Sequence, residues 1–206
     1  MDGYKTIEKE SFDEFIVKKS RFIGYIKPVT SAEQATEFIS QIKSKHWDAT
    51  HNVYAYVLRD GQTRRYSDDG EPQGTAGIPV LDVLLKEGLS DCVAVVTRYF
   101  GGIMLGAGGL VRAYSHGAKI AVDAGKVITM SLCKIAVITA DYNFYGRLVP
   151  LICQNGGIVE NTEFTDNVSV TLRVPNEFYE KLNAAVFDAS NGRYSCEIID
   201  EKYSQI

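Results

Sequence analysis

The sequence has no run of about 18 apolar residues, so no membrane-spanning helix is expected. The first residues, Met1-Asp2-Gly3-Tyr4-Lys5, hold no apolar stretch, so no secretory leader is expected either. Cysteine is sparse. Cys92, Cys133, Cys153 and Cys196 form no CxxC pair, and no histidine stands at metal-ligand spacing to them. That argues against a zinc ribbon and a disulfide scaffold, and it suits a reducing, cytoplasmic setting. There is one tryptophan, Trp47, which is expected to pack. Positive charge is not in excess: the net charge is −4. A global attraction to nucleic acid is therefore excluded, and only a local patch can serve. Residues 1–130 hold 16 Lys+Arg and 16 Asp+Glu, whereas residues 131–206 hold 6 and 10, so any polyanion belongs to the first part. With 45% hydrophobic and 23% charged residues the chain can bury a core, so disorder is not expected.

What is present concentrates between Tyr66 and Gly125. An acidic, glycine-containing loop comes first, Ser67-Asp68-Asp69-Gly70-Glu71-Pro72-Gln73-Gly74-Thr75-Ala76-Gly77. An apolar strand follows over Cys92–Thr97, ending in Arg98-Tyr99-Phe100. Five of the 18 glycines then fall between Gly101 and Gly109. A helical pattern runs from Leu110 to Ala124, with Leu110, Ala113, Gly117, Ala121 and Ala124 on one stripe. Glycines between a strand and a helix let backbone N–H groups face an anion. They serve equally for tight turns and close helix–sheet packing. His116 on the polar face of that helix is weak evidence for catalysis, and no nucleophile pairs with it.

Around this centre the periodicity places strands over Phe12–Lys18 and Ser20–Pro28, with a basic turn, Lys18-Lys19-Ser20-Arg21, between them. Ser31 and Gln34 make a capping box for a helix bearing Ala35, Phe38, Ile39 and Ile42. His51–Leu58 alternates as a strand, and Asp60-Gly61 is a turn. Gly77-Ile78-Pro79 starts a short helix, Gly125 ends the long one as a C-cap, and residues 126–134 read as a connection. From Lys134 the order is strand, helix, two strands, a helix capped by Asn176 and a last strand over Tyr194–Ile199, a ferredoxin-like βαββαβ unit. Asp68, Asp69 and Glu71 do not have calcium-loop spacing and are expected to orient the loop or a ligand rather than hold a metal. No cofactor is expected.

Long motifs in the central stretch resemble the YigZ/IMPACT family. They are Arg65–Pro72, Gly74–Gly77, Val96–Ile103 and Gly106–Tyr114, with Lys19–Phe22 and His51-Asn52 also fitting. The resemblance implies an α+β chain of two domains. Residues 1–131 would form an IMPACT-type domain with a ribosomal-protein-type α/β fold, similar to domain IV of elongation factor G. Residues 132–206 would form the ferredoxin-like domain. Eukaryotic relatives act as translational regulators through an added domain absent here, and family membership defines no reaction.

Three functions are compatible with these residues. The first is a translation-associated protein contacting RNA or the ribosome. Lys18, Lys19, Arg21, Arg64, Arg65, Arg98 and Arg112 would hold phosphate, Tyr54, Tyr56, Tyr66, Tyr99 and Phe100 would stack, and Gly101, Gly102, Gly106, Gly108 and Gly109 would offer backbone donors. The second is an enzyme binding a phosphorylated small molecule at the Gly101–Gly109 loop. The third is a protein-interaction module whose partner surface and oligomeric state the sequence does not name.

Overall fold

A computed structural model describes residues 3–59 and 63–205. The expected turn at Asp60-Gly61 lies outside the described residues. The chain is α+β and divides into two compact units, one from Tyr4 to Ile128 and the other made of Gly3 and the described residues from Thr129 onward.

In the first unit, β2 (Ser11–Val17), β3 (Ser20–Pro28), β6 (Cys92–Tyr99), β4 (His51–Val57) and β5 (Arg64–Ser67) make an antiparallel sheet in the order β2-β3-β6-β4-β5. The short strand β1 (Gly3–Ile7) is not a member of this sheet; the Ser90 N–H donates to its Lys5 carbonyl, and Ile7 enters the core. Strand β6 is central and is covered on both faces, which is why its sequence is apolar without alternation. On one face α1 (Ala32–Lys45) lays Ala35, Phe38, Ile39 and Ile42 against Ile23, Tyr25, Val93 and Val95. On the other, α2 (Gly77–Lys86) and α3 (Ala107–Gly125) cover Phe22, Ile26, Val53, Ala55, Ala94 and Val96.

Helix α3 lies unusually close to the sheet. A Cβ on Gly24 would sit 2.0 Å from the Gly117 carbonyl oxygen, and one on Gly117 would sit 2.8 Å from Val96 Cγ1. Small residues in that stripe set the separation at which Tyr114 and Leu110 can reach the core. Of the five stripe residues expected, Ala124 alone is exposed. Gly125 is not the C-cap. It is the last helical residue, held at a site where a Cβ would meet Ile7 and Ile26 at 2.6 and 2.8 Å, and Lys126 takes the left-handed turn at φ 59°.

The second unit carries β7 (Val127–Ala140), α4 (Tyr142–Gln154), β8 (Ile158–Phe164), β9 (Val168–Pro175), α5 (Asn176–Ala189) and β10 (Glu197–Gln205). Antiparallel pairs β10-β7, β7-β9 and β9-β8 give the ferredoxin-like order, with α4 and α5 packed over Ile138, Val170, Leu172 and Val174. Three details differ from the sequence reading. Residues 127–134 are strand rather than connection, because Met130 to Val137 pair with β10. The last strand begins at Glu197 rather than Tyr194. Pro175, not Asn176, stands at the N-cap of α5 and makes no side-chain cap bond.

Candidate functional site

The acidic loop is tied down by its own backbone. Asp68 accepts N–H bonds from Gly74 (2.9 Å), Ala76 (3.1 Å) and Gly77 (2.8 Å), so its carboxylate gathers the donors at the start of α2. Asp69 accepts from the Asn52 N–H (2.6 Å) and pairs with Lys43 Nζ (2.6 Å). Glu71 is buried and accepts from Arg98 Nη1 (2.5 Å) and the Tyr114 O–H (2.7 Å). His51 donates from Nδ1 to the Asp69 carbonyl (2.8 Å), which turns Nε2 toward Glu71 at 3.8 Å. Burial first, then the Glu71 charge, pushes the Tyr114 phenol far above its ordinary range, so Tyr114 remains a donor. All three acids thus spend their lone pairs on N–H and O–H donors of the protein. Removing the Asp68 carboxylate by Asp68→Ala is expected to lower stability by about 2 kcal/mol. It should also speed amide exchange at Gly74, Ala76 and Gly77; unchanged protection there would show the loop to be held by something else.

Arg98 is placed by strand parity. It shares a face of β6 with Cys92, Ala94 and Val96 and points toward α3, with its side chain only 6% exposed. Its guanidinium lies between the rings of Phe22 (5.5 Å) and Phe100 (5.3 Å). Tyr99, one residue on, faces the α1 side. There the Tyr25 O–H donates to His46 Nε2 (2.7 Å), His46 Nδ1–H donates to the Tyr99 oxygen (2.8 Å), and the Tyr99 O–H donates to Asp48 (3.1 Å). Burial, with Lys45 and Arg21 nearby, lowers the His46 pKa below its usual value and keeps the ring neutral in this chain of bonds. Nothing in the sequence reading anticipated a role for His46. Trp47, expected to pack, is 84% exposed beyond the end of α1.

The other basic residues separate. Arg21 is on the α1 face, ion-paired with Glu14 (2.6 Å) and 6.0 Å from the Tyr99 ring centroid. Arg64 and Arg65 are exposed on the edge strand β5. Lys18 and Lys19 form the two-residue tip between β2 and β3, both left-handed at φ 44° and 65°. Such a turn ordinarily takes Asn-Gly, and a side chain in this region costs roughly 1–2 kcal/mol. Gly101 holds the tip in place. A Cβ there would lie 2.1 Å from the Lys19 carbonyl carbon, and the Gly101 N–H donates to Ser20 Oγ (3.2 Å). Gly102 and Gly106 have positive φ with open space around them, so they are turn glycines.

Between the hairpin and α3 runs a groove of about 360 Å³. Phe15, Val17 and Leu105 line its apolar part, and Lys18, Arg112 and His116 supply the polar groups. His116 meets the Phe15 ring edge-on, centroids 4.6 Å apart. No carboxylate lines it. Of the residues singled out from sequence, Lys18, Gly109, Arg112 and His116 line this groove, and Lys19 and Gly101 meet at the hairpin tip, whereas Glu71 and Arg98 form a buried pair and Asp68 and Asp69 are half-buried in the loop before α2. Gly108, in the first turn of α3, lies 3.8 Å from Arg112 Nη1 when given a Cβ. The groove's remaining wall, Phe15, Leu105 and His116, carried no signal strong enough to be read as a site.

Comparison with known proteins adds the context. The model of the Impact N-terminal domain matches residues 18–122, and that of a domain of unknown function, DUF1949, matches residues 138–193. IMPACT family member YvyE of Bacillus subtilis (strain 168) is 37% identical over 194 residues, covering 94% of this chain and 89% of that protein. Protein IMPACT homolog of Dictyostelium discoideum is 38% identical over 104 residues, 48% of this chain and 28% of its own length. A solved structure described as that of a hypothetical protein superposes with a TM-score of 0.62 at 31% identity, covering 98% of this chain and 100% of that one.

Proposed function

The chain belongs to the IMPACT family, and from that premise we propose that it is a cytoplasmic, translation-associated binding protein that contacts RNA on or near the ribosome. Membership points to a translation-related role, with ribosome-related partners; the contact with RNA is our own step. We assign that contact to the first unit, at the end where the Lys18–Lys19 tip, the Gly101–Gly109 loop and the first turns of α3 meet.

One observation carries the reading. Two lysines occupy a turn that normally needs Asn-Gly, and a glycine with its backbone against theirs keeps them there. Strain of this kind concentrates where a side chain is presented for use. Among the described residues no carboxylate pairs with these exposed cations or with Arg112, unlike Arg21, which is paired with Glu14. Phosphates would therefore meet Lys18, Lys19 and Arg112, while Arg98 stays paired with the buried Glu71 and supports the fold. Phosphate contacts supply position and salt dependence rather than sequence choice. In the phosphate-ligand enzyme reading the same loop holds a nucleotide, and in the interaction-module reading it meets protein.

The test is the salt dependence of RNA binding by the full chain. Lys18→Ala, Lys19→Ala and Arg112→Ala should each weaken binding to a single-stranded RNA. Each should also reduce the slope of log affinity against log salt by about 0.7. Loss of affinity with an unchanged slope, or thermal stabilisation by a mononucleotide instead of RNA, would overturn the proposal.

A further inference from the structure

The groove between β2 and α3 is larger and more apolar than phosphate contacts require. We propose that it takes one unstacked base of a single-stranded RNA, with the flanking phosphates on Lys18 and Arg112. The inference rests on the RNA reading above and adds a base subsite to it.

Three features fit a base. The volume, about 360 Å³, is in the range of small-ligand sites and far above the roughly 30 Å³ a water molecule occupies. Phe15 and His116 present aromatic groups whose mutual geometry is already set, edge-on at 4.6 Å and 72°. Phe15 is in turn fixed from behind by stacking on Phe22 at 5.2 Å. A pre-set aromatic wall costs little ordering when a planar ring arrives. The rest of the apolar lining is aliphatic, from Val17, Leu105 and Ala113, so the site discriminates little between bases.

The charge pattern names the backbone that carries the base. Lys18 comes from the hairpin and Arg112 from α3, so cations come from both of the elements that flank the apolar part. A base inserted between them would keep its own sugar–phosphate at the rim, within the reach of both side chains. Among the described residues no carboxylate lines the groove to oppose that backbone. The groove is also continuous with the Lys18–Lys19 tip, so a strand leaving it passes the second lysine. An acidic peptide with an apolar anchor satisfies the same charges and is the outcome that the experiment must separate.

The experiment compares an oligouridine of about eight nucleotides with an abasic ribose–phosphate oligomer of the same length, binding the full chain at one salt concentration. Because stacking on aromatic side chains is sequence-tolerant and strong, the abasic oligomer should bind about tenfold more weakly or worse. His116→Ala should narrow that gap while leaving the salt slope of the remaining binding unchanged. A purely structural His116 would leave the gap intact. Phe15 borders the core, so Phe15→Ala is read only alongside a folded thermal transition, and Val17→Phe, which fills the groove, serves as the independent variant with the same expected result. Equal affinity for the two oligomers, with Lys18 and Arg112 still required, would overturn the base subsite and leave the RNA contact standing. No binding of either oligomer would remove both. Displacement of neither oligomer's binding by an acidic peptide supports the proposal; tight peptide binding that excludes oligouridine and depends on His116 would overturn it.

Discussion

Arg98→Ala is expected to destabilise the first unit by about 3–5 kcal/mol and to leave its affinity for RNA nearly unchanged. The reason is the partner that remains. Glu71 is 4% exposed at its side chain, and Arg98 is 6% exposed. Without Arg98 the carboxylate keeps, among the described residues, the Tyr114 hydroxyl and the distant His51 ring. A buried charge left without its counter-ion is among the costlier single changes available to a small domain. Tyr114 cannot replace the lost cation, because its phenol, held neutral by burial and the Glu71 charge, offers one neutral donor and no positive charge. The double variant R98M/E71Q should be less destabilised than the sum of the single changes, since each single change orphans what the other removes. Thermal melts of the unaltered chain, Arg98→Ala, R98M, E71Q and R98M/E71Q, with RNA binding measured well below each transition, supply the readout. If Arg98→Ala melts normally and instead lowers RNA affinity and its salt slope, Arg98 reaches phosphate directly and the knot around Glu71 is a binding site.

The position of Arg98 was legible, though it was not read. Every second residue from Cys92 faces α3, so Arg98 had to share that face with Ala94 and Val96. Helix α1 was legible for a stronger reason: Ser31 caps it and four apolar residues at helical spacing meet the sheet. The fold of the second unit followed from its alternation of strands and helices, and β8, β9 and α5 lie close to where the pattern put them. Its last strand was misplaced because β10 is almost wholly exposed, Glu-Ile-Ile-Asp-Glu-Lys-Tyr-Ser-Gln, with a register shift between Ile198 and Asp200. A strand made by pairing with a distant partner, and not by burial, leaves no hydrophobic period to find. The same holds for residues 127–134, most of them half-buried or exposed. Convergence of Lys19 and Gly101 has a similar origin. Residues far apart in sequence meet through a backbone contact at Gly101, which no local pattern encodes.

That contact is also where a single added methyl group should separate stability from function. Gly101→Ala places its Cβ 2.1 Å from both the carbonyl carbon and the carbonyl oxygen of Lys19, and 2.5 Å from the Ser20 nitrogen. All three are backbone atoms, so no side chain can swing aside. Either the hairpin tip lifts away or the glycine loop does. The overpacking cost is about 1–3 kcal/mol. The larger expected effect is on the cations, because the left-handed turn at Lys18 and Lys19 loses the surface that holds it. RNA binding should fall by about as much as in the Lys18→Ala, Lys19→Ala double variant, although both lysines are still present. Gly102→Ala is the control. Its φ is 81° and nothing lies within 4 Å of a Cβ there. It therefore suffers the left-handed backbone penalty, roughly 1–2 kcal/mol, without pushing on the hairpin. The two variants should thus melt at similar temperatures and differ in RNA affinity. Equal affinity for both would mean that the placement of the hairpin tip does not matter to binding, and the phosphate contacts would then have to be sought on Arg64 and Arg65 at the exposed edge of β5.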